Sequence, residues 1–243
     1  MLNKGMILAV GLAFLCTIFS AMKVNAADSP VLSDWQKSII AISAFTANGD
    51  LEKLKPALAR GLEAGLTVNE VKEILIQLYA YTGFPRSLNG IHTFMALMEE
   101  RQKNGIQDEM GKEASVMPAG MDRDRYGAET RAKLGGQSTV PPPAGYQLFA
   151  PAIDAFLKEH LFADIFYRDN LDWQSRELAT ISALAAMSGT AGQQRFHLNA
   201  AMNMGLSEEQ MQGFIAVIET EVGKGHARVC QDVLNAILQE RKN

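Results

Sequence analysis

The chain has no clustered stripe of Lys and Arg, and its formal net charge is −4, so the electrostatic footprint of nucleic-acid binding is missing. No nucleic-acid partner is expected. Strand-like alternation of apolar and polar residues is also absent; the apolar segments repeat at helical spacing, which predicts an all-α fold. Cysteine is scarce, with two in 243 residues, and one of these, Cys16, falls in an N-terminal apolar run. What is present in quantity is apolar residues, at 47%, enough to pack the core of one large domain or two small ones.

Lys4 precedes an apolar run from Gly5 to Met22, and Val24-Asn25-Ala26-Ala27 offers small residues for cleavage. This pattern reads as a signal peptide over residues 1–27 and implies an exported protein, periplasmic or secreted. The run touches the lower length limit of a membrane span, so an uncleaved anchor is the alternative; after cleavage no stable span is expected. Ala13-Phe14-Leu15 before Cys16 lacks the small residue that a lipoprotein signal places just ahead of its cysteine. Cleavage removes Lys4, Lys23 and Cys16, taking the formal charge to −6 and leaving Cys230 with no internal disulfide to make. A lone cysteine is more often a small buried hydrophobe than a reactive thiol or an intermolecular bridge.

An internal repeat follows. Ala64-Gly65-Leu66-Thr67-Val68-Asn69-Glu70 aligns with Met204-Gly205-Leu206-Ser207-Glu208-Glu209-Gln210, 140 residues later. Gly65 and Gly205 can end one helix in the left-handed conformation, and Thr67 and Ser207 can cap the next, with Glu70 and Gln210 completing capping boxes. Apolar helices are predicted from Val71 to Tyr81 and from Met211 to Val222, closed by Gly83 and Gly223. Third helices are predicted over Arg86 to Arg101 and His226 to Arg241. Asp34-Trp35-Gln36 recurs as Asp172-Trp173-Gln174, two residues out of register. The organisation read from this is a first repeat over 28–104, a second over 147–243, and between them a Gly- and Pro-rich linker over 105–146 that ends near Pro141-Pro142-Pro143. The linker holds one helical candidate, Arg123 to Leu134. A further helix is predicted over Ala150 to Phe162.

The second half carries recognisable runs. Arg125-Tyr126-Gly127, Thr130-Arg131-Ala132-Lys133-Leu134-Gly135, Ala163 to Arg168, Ser175-Arg176-Glu177-Leu178-Ala179-Thr180, Gly189-Thr190 and Phe196-His197-Leu198-Asn199-Ala200-Ala201 resemble the carboxymuconolactone decarboxylase and alkylhydroperoxidase D-like superfamily. The first repeat resembles the same family over residues 73–88, where Gln77 to Arg86 is similar to the segment that closes the family's domain. The resemblance implies a helical domain that assembles into rings with active sites between subunits. For a chain with two such repeats, that means a homo-oligomer, a trimer of two-repeat chains.

On this match His197 is the family's shared histidine, and Glu177 occupies the acidic position of peroxidase-type members. Those members keep a Cys-x-x-Cys pair before the histidine; here the stretch is Thr190-Ala191-Gly192-Gln193. Thiol-based peroxide reduction needs an attacking thiolate and a resolving partner, and Cys230 alone supplies neither there. Decarboxylation of a small carboxylated lactone or cyclic acid needs no metal or organic cofactor, because a conjugated carbonyl in the substrate can take up the electrons released with CO₂. Arg176 is the candidate for holding the carboxylate, His197 for returning the proton, and Glu177 for orienting the imidazole. The plainer readings are a structural histidine and a solvated Arg-Glu pair at a helix start. His226 and Cys230, four residues apart, are a thin candidate for a metal pair.

The first repeat departs from the pattern. Ala57 stands where the second repeat has His197, and Lys37-Ser38 falls near the position of Arg176-Glu177, so this repeat is read as degenerate. Tyr79, Tyr81 and Arg86 are its candidates for lining a neighbouring pocket. Two alternatives to a lyase remain: a non-catalytic binding or assembly protein on the same scaffold, and a peroxidase-like redox protein acting through Cys230.

Overall fold

The capping signals at the two Gly-Leu-Thr/Ser turns do what their chemistry dictates. In the computed structural model, which describes residues 31–242, Thr67 accepts from the Glu70 amide and Ser207 from the Gln210 amide, and each capping box closes reciprocally. Gly65 and Gly205 precede them with φ of 94° and 105°. The expected signal segment, residues 1–27, lies outside the described residues. Among the described residues there is no strand, and no helix is long and apolar enough to cross a membrane.

The first repeat comprises α1 (Asp34–Asn48), α2 (Leu51–Glu63) and α3 (Val68–Lys103). Gly83, at φ 77° and ψ 160°, breaks α3 into the two helices that the sequence predicts. The second repeat comprises α7 (Trp173–Ala185), α8 (Ala191–Asn203), α9 (Glu208–Glu221) and α10 (Lys224–Arg241). The recurring Asp-Trp-Gln segments open α1 and α7, which pack against each other at the centre. Both are buried nearly all round: Ile39, Ile40, Ile42 and Phe45 on α1 meet a core that includes Leu178, Ile181 and Ala183 of α7. Each such large side chain contributes about 1.5–3 kcal/mol through burial. One apolar core therefore spans both repeats.

Between the repeats lie α4 (Arg123–Leu134), α5 (Tyr146–Phe149) and α6 (Pro151–Phe156). The single helix predicted over 150–162 is corrected here: after α6 the chain widens into a π-helical stretch, Leu157–Ile165. At its contact with α4 the Lys158 carbonyl comes so close to Gly127 that a Cβ there would sit 1.8 Å from the oxygen. Only glycine admits this approach. Leu134, Leu161, Phe162, Ile165, Phe166 and Ala200 form a second, smaller apolar cluster at this junction.

Residues 105–146 are also tied down ahead of α4. The carbonyls of Glu109 and Met110 accept from the Val68 and Asn69 amides at 2.9 Å, satisfying first-turn donors of α3. Ser115 donates its amide to Asp169 at 2.8 Å.

Candidate active site

Glu177 lies in the first turns of α7 and His197 midway along α8. Packing of these two helices brings side chains 20 residues apart in sequence into contact. His197 Nδ1 lies 2.8 Å from Glu177 Oε2, with the carboxylate fully buried and the imidazole nearly so. A buried carboxylate on Nδ1 fixes the ring's orientation and favours the tautomer with its proton there. That leaves Nε2 as the nitrogen available to an occupant of the adjacent cavity.

The cavity, of about 710 Å³, has His197 in its wall. Leu157, Leu161, Phe162, Leu184, Met187 and Phe196 make it largely apolar. The π-helical stretch supplies three of these side chains, and π turns recur at functional sites. The N-terminal end of α8 opens on the same space through Thr190, Gly192 and Gln193. Thr190 makes no side-chain cap; its hydroxyl donates instead to the Leu184 carbonyl at 2.8 Å. First-turn amides of α8 are thus left without a side-chain acceptor, a disposition that favours anions. Thr190 and Gln193, the ends of the stretch that resembles the Cys-x-x-Cys position of peroxidase-type members, line the cavity.

Arg176 is placed differently from the sequence expectation, which is corrected here. Its side chain is fully buried and does not line the cavity. Nη2 donates to Glu73 at 2.8 Å and to the Arg168 carbonyl, and Nη1 donates to Gln77 at 2.8 Å. Arg168 joins Glu73 from the other side at 2.8 Å. Burial pulls the Arg176 guanidinium below its usual pKa, against the opposing pull of Glu73. With both terminal nitrogens engaged across the repeat boundary, Arg176 cannot serve as the carboxylate clamp of an open site.

The cation that does line the cavity is Arg131 of α4. Its Nη1 donates to Asp154 at 2.6 Å, with the Tyr146 hydroxyl at 3.4 Å. Burial alone would raise the Asp154 carboxyl, but hydrogen bonds from Arg131 and Gln147 together outweigh it and hold it below the ordinary range. Arg131 lies within the Thr130 to Gly135 run, and nothing in the sequence sets it apart from Arg123 and Arg125 on the same helix; it is legible as a site residue only once α4 is seen on the cavity.

The first repeat supplies Ala80 and Tyr81 to the cavity wall. The Tyr81 ring meets His197 edge-on, with centroids 5.4 Å apart. Its hydroxyl is buried beside Thr180, short of hydrogen-bond geometry. Tyr79 instead stacks on Phe84 at 4.5 Å, and the Arg86 guanidinium packs over Gly49. The first repeat repeats none of the dyad: Ala57 is buried, Lys37 pairs with Asp34, and Ser38 donates to the Asp34 carbonyl.

The remaining candidates sit elsewhere. His226 places Nδ1 at 2.6 Å from the Ala185 carbonyl, and Cys230 accepts from Gln194 Nε2 at 3.0 Å, so the two enter separate hydrogen bonds. Burial pushes the Cys230 thiol up to about 11. No group of three or more His, Cys, Asp or Glu placed to hold a metal occurs among the described residues.

The family model for the carboxymuconolactone decarboxylase family matches residues 18–94 and 151–234, once in each repeat, and the chain belongs to that family. No curated protein matches the sequence.

Proposed function

We propose that this member of the carboxymuconolactone decarboxylase family is a cofactor-independent lyase that decarboxylates a carboxylated lactone or cyclic acid with a substantial apolar portion. The observation that carries the reading is the buried Glu177–His197 pair in the wall of an apolar cavity. Such a cavity takes the ring and its substituents, while Arg131 and the first-turn amides of α8 meet the anionic end and the carbonyl. As the carboxylate leaves as CO₂, the bonding electrons pass into the conjugated carbonyl and charge develops on its oxygen. The protonated imidazole then delivers its Nε2 proton to the carbon that lost CO₂ and recovers one from solvent. Glu177 holds Nδ1–H throughout and balances the imidazolium. In this scheme Arg131 takes the anion-holding part first assigned to Arg176.

A thiol route has little support. Thr190 and Gln193 stand in the cavity wall where peroxidase-type members carry their cysteines, and Cys230 is a buried thiol with its pKa well above neutrality. The proposed trimer of two-repeat chains draws support from apolar side chains left in solvent near the cavity, including Phe149 at 92% and Phe156 at 67% exposure. Export is proposed from residues 1–27; N-terminal sequencing of the secreted product supports it if the chain begins at Ala27 or Asp28 and opposes it if the chain begins at Met1.

Turnover in D₂O tests the chemistry. One deuterium on the carbon that carried the carboxylate is expected, and its loss in His197→Gln. CO₂-free consumption of substrate, or product with no solvent-derived hydrogen at that carbon, would overturn the assignment.

A further inference from the structure

Five buried side-chain polar atoms among the described residues lack a hydrogen-bond partner, and two of them, the Tyr81 hydroxyl and Glu177 Oε1, belong to the groups around His197. An unpaired buried donor or acceptor costs about 1–3 kcal/mol. These two are complementary, one a phenol donor and the other a carboxylate acceptor.

We propose that Tyr81, carried by the first repeat, is a positioning residue of the His197 site. The two atoms make no hydrogen bond in the structure; closing that gap lets the Tyr81 hydroxyl donate to Glu177 Oε1 and so set how strongly that carboxylate holds the Nδ1 proton of His197.

Three observations converge on this. Tyr81 is in edge-on contact with the His197 ring, so it packs against the same pair that Glu177 completes. Gln77, one turn earlier on α3, donates to the Arg176 carbonyl at 2.8 Å and to Thr180 Oγ1 at 2.9 Å. Those bonds lock the α3 face that carries Tyr81 against the α7 face that carries Arg176, Glu177 and Thr180. Burial first, then the charge of Glu177, keeps the Tyr81 hydroxyl protonated far above the ordinary phenol range, so it is a donor at every working pH.

Among the charged and titratable groups on the surrounding elements, Tyr81 of α3, Arg131 of α4 and Tyr146 of α5 line the same cavity as His197, and Glu177 of α7 meets its Nδ1. Glu73 and Arg176 pair with each other, Lys133 lies over Trp173, Lys158 pairs with Asp124 and Asp154, and His160 with Asp164. On α10, Arg241 and Glu240 are engaged with Asn199, Asn203 and Arg195, and His226 with Ala185. The Tyr81 ring meets the His197 ring edge-on. A hydrogen bond to Oε1 draws charge from the carboxylate and weakens its hold on an imidazolium. Removing the hydroxyl therefore raises the His197 midpoint.

This inference uses the Glu177–His197 pair of the proposed lyase, but its test needs no substrate, so the two can fail separately. The histidine ring resonances of the chain, residues 28–243, are titrated by NMR, with His197 assigned through His197→Gln. Tyr81→Phe is expected to raise the His197 midpoint by about 0.5 units or more, and the shift should collapse in a Glu177→Gln background. Uniform 3-fluorotyrosine, which keeps the ring and strengthens the donor, should move the midpoint down and covers the case of a Tyr81→Phe chain that does not fold. An unchanged midpoint in either variant, or an equal shift without the Glu177 charge, would overturn the proposal.

Discussion

Arg176 of the second repeat places its guanidinium 2.8 Å from the carboxylate of Glu73 in the first, and both side chains are fully buried. This contact bridges the two repeats, with Gln77 accepting from Arg176 Nη1 and Arg168 donating to Glu73, while Arg176 Nε is left without a partner. A buried pair of this kind is costly to break from one side, because the survivor is left charged in an apolar setting. Glu73→Ala is expected to lower unfolding stability by about 3–5 kcal/mol, measured by urea denaturation. A loss under 1 kcal/mol would mean that the contact is not formed in solution.

Arg131 is expected to behave differently, because it borders the cavity rather than the core. A charge-assisted hydrogen bond to a substrate carboxylate contributes about 1.5–3 kcal/mol, so Arg131→Gln should raise KM about tenfold to a hundredfold with kcat largely kept. Because Asp154 would lose one of its partners, keeping Gln147 and Lys158, Arg131→Gln/Asp154→Asn serves as the control for local disruption. An unchanged KM in both variants would remove Arg131 from the substrate site.

Cys230 gives a pH signature. Burial holds its folded pKa at about 11, above the ordinary thiol value of about 9, so the folded state keeps a proton that the unfolded state sheds first. Stability from this group is full below pH 9 and is lost as pH rises towards 11. Between pH 8 and 10.5 the wild-type chain should lose about 2 kcal/mol more than Cys230→Ala, read by denaturation at both pH values. Parallel losses would place the thiol in solvent, where it would titrate normally.

The sequence makes the repeat and its turns legible because the signals are local: a glycine, a capping hydroxyl and a Glu or Gln three residues on. Gly83 is legible for the same reason. The π-helical stretch Leu157–Ile165 is not, since its wide turns show neither the 3.6 nor the 2.0 period by which apolar residues are read. The Glu177–His197 contact is implied by the family resemblance and not by spacing. Arg176 misleads in a physical sense: Ser175-Arg176-Glu177 looks like a solvated helix start, while the acid that buries it lies 103 residues away in the other repeat. Tyr81 has the same difficulty. Its role depends on α3 lying against α7, which no local pattern announces.

The measurement that bears most directly on the central claim is CO₂ release by the purified chain, residues 28–243, from a panel of carboxylated lactones and cyclic acids of increasing apolar bulk, without added metal or cofactor. Release from the bulkier members, reduced by about two orders of magnitude or more in His197→Gln, is the predicted result. Release that survives His197→Gln unchanged, or binding of these acids with no CO₂ from any of them, would contradict it.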